Sequence, residues 1–373
     1  MKAKVLTLIF TALVVLAVVP VKNIVSGVVK MDKKLYAKPE AELFNFDFAL
    51  SFPSFVFYKW GMSLDPDQCL AGKSGWLYLG DMYQSVITNR RRLITDEDEK
   101  TARRIGEATQ AWDAWLKNKG VKVFRVMLAP DKETIYPEFL PDWARPVTPS
   151  LTDNLMPHVA PVYIDTRLVL KEARAGFDAP LLYYQTDTHW NSLGAWLAFR
   201  HFIKEIGRTE SGVWLGDEDV RLVRTFRRKG GDLARFLYLG DTLTDLEADM
   251  EIKIKDHPPI ETEESDFDST KVFSTGGNPK TDAFFGYTVR IKSPNALNHK
   301  KVLWLCDSFA TAVAPYMAAT FSDLVMVHYD QAGPERFAEL VETYKPDYVF
   351  MTVVERYSRE KVFESFPPLA ASR

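Results

Sequence analysis

Apolar residues recur at helical spacing over Ala102, Ile105, Ala108, Trp112, Trp115 and Leu116, behind Thr95 and the acidic run Asp96-Glu97-Asp98. That pattern predicts an amphipathic helix that starts on a Thr cap and ends near Gly120. A β-rich run from Val121 to Leu128 follows, then the loop Ala129-Pro130-Asp131-Lys132. The alternation continues with a strand at Val162–Ile164, a helix from about Thr166, a short strand near Leu181–Tyr184 and an amphipathic helix over Ser192–Ile206. Towards the C-terminus it becomes clearer: strand Lys301–Leu305, helix Thr311–Thr320, strand Asp323–Val327, helix Pro334–Tyr344, strand Tyr348–Val354. Strands alternating with helices of this length predict an α/β fold, a mostly parallel sheet flanked by helices on both faces. In such sheets the chemistry collects at the carboxyl ends of the strands.

The pattern breaks in two places. Lys2 and Lys4 precede an apolar run from Val5 to Val19, interrupted only by Thr7 and Thr11, which predicts a signal or membrane anchor over residues 1–30. Pro20, Val21 and Ile24 to Val29 extend the run towards the roughly 20 residues of a membrane span. No small-x-small cleavage site follows, so an uncleaved anchor is favoured, although Lys22, Lys30, Lys33 and Lys34 compete in setting its orientation. Residues 31–373 then form the folded domain, into which the aromatic-rich segment Met31–Leu64 packs. Gly72 to Leu79 reads as a turn entering a short strand. The second break is an insertion at about 207–299, where periodicity fades into an irregular segment with an acidic loop over Asp256–Asp268.

Composition narrows the function. Lys and Arg total 47 against 50 Asp and Glu, a formal net charge of -3, so nothing marks a nucleic-acid partner. Cys69 and Cys306 stand far apart without metal or redox spacing, and two buried reduced thiols are expected.

Chemistry is concentrated in two segments. Leu303-Trp304-Leu305-Cys306-Asp307-Ser308-Phe309-Ala310 puts a serine at a strand-to-helix turn, where its hydroxyl projects from the sheet and the helix N-terminus offers N–H groups to an oxyanion. Read alone, the segment favours Ser308 as a helix cap, with Asp307 making a favourable dipole contact. Gln185-Thr186-Asp187-Thr188-His189-Trp190-Asn191 adds a carboxylate and an imidazole with one residue between them. On an extended turn both point the same way, so Asp187 can orient His189 as general base for Ser308. The competing readings are a capping turn and a metal pair, the latter lacking another ligand at nearby spacing; no metal or cofactor is expected. His158, His201, His257, His299 and His328 have no such local arrangement and read as surface or core residues.

These two segments, with Gly72 to Leu79, Pro130 to Pro137, Gly231-Asp232-Leu233 and Glu355-Arg356-Tyr357, resemble the SGNH-hydrolase-like O-acetyltransferases of the AlgX and AlgJ type. The resemblance spans roughly residues 70 to 360. It implies an SGNH-like fold with permuted motif order, Asp187 and His189 preceding Ser308, and a catalytic triad that transfers acetyl through an acetyl-serine to a sugar hydroxyl. Cys306 stands where the esterase motif has Gly, which leaves the oxyanion site open, and no second oxyanion donor is identifiable. Lys132, Tyr136, Trp190, Asn191, Arg356 and Tyr357 are candidate substrate contacts.

The expected function is O-acetylation of an exported polysaccharide of alginate or cellulose type. It implies a periplasmic enzyme tethered to the inner membrane, a membrane-bound O-acyltransferase as acetyl donor, and other exopolysaccharide-machinery partners. The alternatives are an extracytoplasmic carbohydrate acetyl esterase using the same residues, and a non-catalytic polysaccharide-binding adaptor.

Overall fold

A computed structural model of the chain describes residues 2–25, 43–44, 46–175, 179–277, 279 and 286–368. Strands β1 (Cys69–Ala71) and β2 (Leu77–Leu79) form one separate pair and β5 (Val220–Lys229) and β6 (Thr244–Ile252) another, while β3 (Val123–Ala129), β4 (Tyr163–Asp165), β7 (Glu263–Asp266), β8 (Val272–Thr275), β9 (Val289–Lys292), β10 (Asn298–Cys306), β11 (Phe321–His328) and β12 (Tyr348–Val354) build a central eight-stranded sheet in the order β4-β3-β12-β10-β11-β9-β7-β8. From β4 to β11 every pairing is parallel, whereas β9, β7 and β8 add on antiparallel. The sheet is thus mixed.

The parallel core explains the sequence pattern. Along β10, Val302, Trp304 and Cys306 join one buried apolar cluster while Leu303 and Leu305 join the other, and Phe350 and Met351 of β12 divide the same way. A strand covered on both faces needs no polar positions and reads as a continuous apolar run. The helix Asp96–Asn118 covers one face, starting on Thr95, which forms a reciprocal capping box with Asp98. The helix Ser192–Gly207 covers the other through Phe199 and Phe202.

Residues 207–299 differ from the irregular segment expected. They hold a two-stranded antiparallel ribbon, β5 (Val220–Lys229) with β6 (Thr244–Ile252), as well as the three antiparallel strands of the main sheet. Periodicity is weak because nearly every residue of β5 is exposed, so neither face needs to be apolar. The short strand expected near Leu181–Tyr184 is only an isolated bridge between Tyr183 and Trp190, closing a tight loop. The helix expected over Thr311–Thr320 splits into a 3-10 turn, Ser308–Ala312, and a helix, Ala314–Thr320. Pro315, which has no N–H to bond back into the preceding turn, sits in the first turn of the second helix, the position where proline costs least.

At the N-terminus a helix runs from Lys2 through Pro20 to Val25, and its Val5–Val25 stretch of 21 residues is long and apolar enough to cross a membrane. Residues 31–42 of the aromatic-rich segment lie outside the described residues. Its later part forms the helix Asp47–Lys59, which packs through Phe55 and Tyr58, the Tyr58 hydroxyl donating to the Gly75 carbonyl at 3.2 Å. Packing is one-sided, since Phe46, Phe52 and Trp60 remain exposed. Both cysteines are buried free thiols, and burial pushes Cys69 up to about 12.

Candidate active site

All five parallel strands end on one edge, which gathers Asp131 after β3, Ser308 after β10, His328 at the end of β11 and Arg356 after β12. Asp307 sets the turn that carries the serine. Its Oδ1 accepts the Phe309 N–H at 3.0 Å and its Oδ2 accepts the Val354 N–H at 2.7 Å, joining the ends of β10 and β12. The cap is therefore Asp307, and the Ser308 hydroxyl is left to face His189. The same capping occupies N–H groups expected to face an oxyanion: Phe309 donates to the Asp307 side chain and Ala310 to its carbonyl.

Asp187, His189 and Ser308 come together in a line. His189 Nδ1 lies 2.6 Å from Asp187 Oδ1, and its Nε2 lies 2.9 Å from Ser308 Oγ. Burial alone would lower the imidazole, but the hydrogen bond and negative charge of Asp187 outweigh it and hold His189 above its ordinary value. Burial would raise Asp187, yet His189 and the N–H groups of His189 and Asp232 hold it well below the usual carboxylate range. Such a pair keeps the Nδ1 proton towards Asp187 and leaves Nε2 able to take a proton from the serine.

The loop that holds them is caged by buried polar groups. Lys132 donates to the carbonyls of Tyr184, Gln185 and Asp187 at 3.2, 3.2 and 2.7 Å. Asp245 accepts both the N–H and the hydroxyl of Thr186, and Asp232 does the same for Thr188. The Asp232 N–H reaches Asp187 Oδ2 at 3.2 Å. Gly231 completes the cage, because a Cβ there would lie 2.2 Å from Asp187. Asp232 and Asp245 were not among the expected site residues. They stand far along the chain, so spacing could not reveal them, although the Gly231-Asp232-Leu233 segment had pointed to the first.

Among the described residues, Asp187, His189 and Asp232 bring metal-ligating atoms within 4.8 Å of one another. The fold thus supplies the third ligand that sequence spacing lacked. Its atoms are arranged for hydrogen bonds instead: Nδ1 of His189 sits against Asp187, and both Asp232 oxygens accept from Thr188.

Four expected substrate contacts have other work. Lys132 is buried and donates to carbonyls, as above, because its long stem carries the ammonium into the cage. Tyr136 is buried with its hydroxyl accepting the Leu182 N–H at 3.0 Å. Asn191 is the buried cap of the helix Ser192–Gly207, accepting from Leu193 and Gly194. Trp190 is 1% exposed and donates to the Phe309 carbonyl at 3.0 Å, so it offers no free face to a sugar. These residues hold the site together and are almost wholly buried.

Two openings meet at Ser308 and His189. One is a cleft of about 1090 Å³ running beneath the β5–β6 ribbon. The other, of about 270 Å³, is lined by Tyr83, His328, Asp330, Arg356 and Tyr357. Arg356 pairs with the buried Asp131, lies over the Phe309 and Tyr357 rings, and keeps a buried Nε without a hydrogen-bond partner. Of the expected contacts, Arg356 and Tyr357 line the smaller opening, and the largely buried Trp190 borders the larger one.

The sequence of residues 69–281, more than half of the chain, matches the family described as SGNH hydrolase-like domain, acetyltransferase AlgX. No curated protein matches by sequence. Among solved structures, Bacillus cereus PatB1 superposes with a TM-score of 0.57 at 16% identity, covering 79% of this chain and 98% of that one. The same protein with a sulfonyl adduct gives 0.57 at 17% identity, over 80% and 100%. A DHHW family protein from Eubacterium siraeum gives 0.51 at 15% identity, over 80% and 99%. Identities this low support the fold, and the sequence match supplies the family: the chain belongs to the SGNH hydrolase-like acetyltransferases of the AlgX family.

Proposed function

We propose that the chain is an acyltransferase in which Ser308, His189 and Asp187 move an acetyl group onto hydroxyls of an exported polysaccharide. The observation that carries this reading is the unbroken line from Asp187 Oδ1 through His189 to Ser308 Oγ, at 2.6 and 2.9 Å, opening onto a cleft large enough for sugars. Ser308 Oγ attacks the acetyl carbonyl while His189 Nε2 takes the hydroxyl proton. As the tetrahedral intermediate collapses, that proton passes to the departing oxygen and acetyl-Ser308 remains. A sugar hydroxyl then attacks, gives its proton to His189, and receives the acetyl group; the proton returns to Ser308 Oγ. Asp187 stabilises the imidazolium in both halves. Arg356 and Tyr357 act as substrate contacts in the smaller opening.

The apolar helix Lys2–Val25 supports tethering to the inner membrane with the domain in the periplasm. The helix Asp47–Lys59 and the residues around it, with exposed Phe46, Leu50, Phe57 and Trp60 at spacings of four, seven and three, support a membrane-proximal position, since a helix facing water is normally polar there. A membrane-bound O-acyltransferase partner would then deliver acetyl from across the bilayer, and tethering raises its effective concentration at Ser308.

The direct test incubates the full chain in detergent with an aryl acetate, quenches it and searches its peptides by mass spectrometry. Acetyl on Ser308 is expected, with oligosaccharide hastening its loss and appearing acetylated. Acetate released only to water, with the sugar untouched, would make the protein an esterase.

Geometry of the orienting carboxylate gives a second prediction. In Gly231→Ala the backbone is unstrained, with φ of -78°, but the new methyl meets Asp187 at 2.2 Å and must displace it. Turnover of the aryl acetate is expected to fall about 100-fold, the cost of a misplacement near 1 Å. Unchanged turnover would mean that Asp187 does not need this position.

A further inference from the structure

The helix Asp47–Lys59 carries no charged side chain between its two ends, and the fold uses one of its sides. Phe55 and Tyr58 pack against the larger apolar cluster, and Ser54 is buried beside them. On the other side Phe46, Leu50, the half-buried Pro53, Phe57 and Trp60 follow at spacings of four, three, four and three, which sets them along a single stripe. Phe46 is 54% exposed and Trp60 71%. A helix apolar on two sides belongs between two apolar media, and the domain is only one of them. Where the helix begins identifies the other. The stretch Val5–Val25 is long and apolar enough to cross a bilayer, and Asn23, in its last turn, donates from Nδ2 to the Leu43 carbonyl at 2.9 Å. Leu43 stands three residues before Phe46, so the stripe starts where the span leaves the hydrocarbon, the layer in which Trp is favoured.

We propose that the helix Asp47–Lys59 is a second membrane contact, lying with Phe46, Leu50, Phe57 and Trp60 in the interfacial layer of the bilayer that the N-terminal helix spans, an inference that rests on the tethering reading above. The helix has 13 residues and covers about 20 Å along the membrane surface. A tether at one point leaves a domain free to turn, whereas an added line of contact fixes the side that faces the lipid. Two hydrogen bonds carry that fixed side to the catalytic loop. The Tyr58 hydroxyl donates to the Gly75 carbonyl at the turn of the β1–β2 hairpin, and the Leu77 N–H of the same hairpin donates to the Gln185 carbonyl at 2.9 Å, two residues before Asp187. The seat of the helix on the bilayer thus sets how Ser308 and His189 face the membrane.

The test places the full chain in vesicles of phosphatidylethanolamine and phosphatidylglycerol, with a nitrobenzoxadiazole dye on Leu50→Cys or, in the span, on Leu13→Cys. Cys69 and Cys306 are buried, and the unsubstituted chain serves as the labelling blank. A lipid nitroxide near the headgroup is expected to quench about half or more of the emission from Leu50→Cys, as a depth of about 5–10 Å requires, whereas a nitroxide at the acyl-chain end quenches Leu13→Cys better. Adding Phe57→Asp and Trp60→Asp is expected to abolish quenching of the Leu50→Cys dye and to leave turnover of a soluble aryl acetate unchanged, because both side chains are exposed and the packed side of the helix stays intact. An unquenched dye at Leu50→Cys while Leu13→Cys is quenched, or quenching that survives the two aspartates, overturns the proposal and leaves the stripe to a protein partner or to water. An unquenched Leu13→Cys would defeat the tether itself.

Discussion

Ser308→Ala is expected to lower turnover of an aryl acetate by about 10⁴-fold or more, towards the rate that binding and electrostatics alone sustain. Removing Oγ removes the atom that becomes acylated, and His189 has no second hydroxyl at its Nε2 among the hydrogen bonds of the described residues. The fold should be indifferent to the change. Asp307, not Ser308, caps the turn and joins β10 to β12, and Ser308 is only half buried, so the thermal midpoint should stay close to that of the wild type. Steady-state kinetics beside a melting curve checks both halves. Lost turnover with an unchanged melt assigns Ser308 to chemistry; retained turnover would remove it from the mechanism.

The parts of the site that were legible in the sequence are those whose geometry is local. Asp187 and His189 are two positions apart, so an extended turn suffices to align them, and Ser308 sits where a buried apolar run stops at a helix start. The strands β10 and β12 were visible for a related reason: both faces are covered, and covered strands admit few polar residues. What stayed hidden depends on distant contacts. Asp232 and Asp245 look like any acidic surface residues until the chain returns them to the backbone N–H groups of Thr188 and Thr186.

The expected substrate contacts follow the same division. Lys132, Tyr136, Trp190 and Asn191 lie next to recognisable chemistry and carry groups that bind sugars elsewhere, but their polar atoms are used up by backbone partners. Proximity along the chain does not say which way a side chain turns, and burial decides it. The ribbon β5–β6 was missed from the opposite cause, since an exposed two-stranded element places no demand on hydrophobic periodicity.

Asp187→Asn is expected to cost about 10⁴-fold in turnover while leaving the distance from His189 to Ser308 intact, because an amide no longer fixes the tautomer or balances the imidazolium. The pH profile should move as well. A general base must be neutral, so the acid limb of the wild-type profile lies above the ordinary histidine value of about 6.5, where Asp187 holds His189. Without that charge burial prevails, and the limb should shift to lower pH even as the plateau drops. Stability separates this from simple damage. Asp187 is depressed in the folded protein, so its contribution is present above about pH 3.9 and is lost as pH falls through its native value. His189 is raised, so its contribution is complete below about pH 6.5 and is lost as pH rises through its native value. The pair therefore stabilises most between about pH 4 and 6.5, and melting curves of wild type and Asp187→Asn should diverge most in that window. An acid limb that does not move, or melting curves that differ by the same amount at every pH, would mean that Asp187 and His189 do not share the proton as their geometry requires.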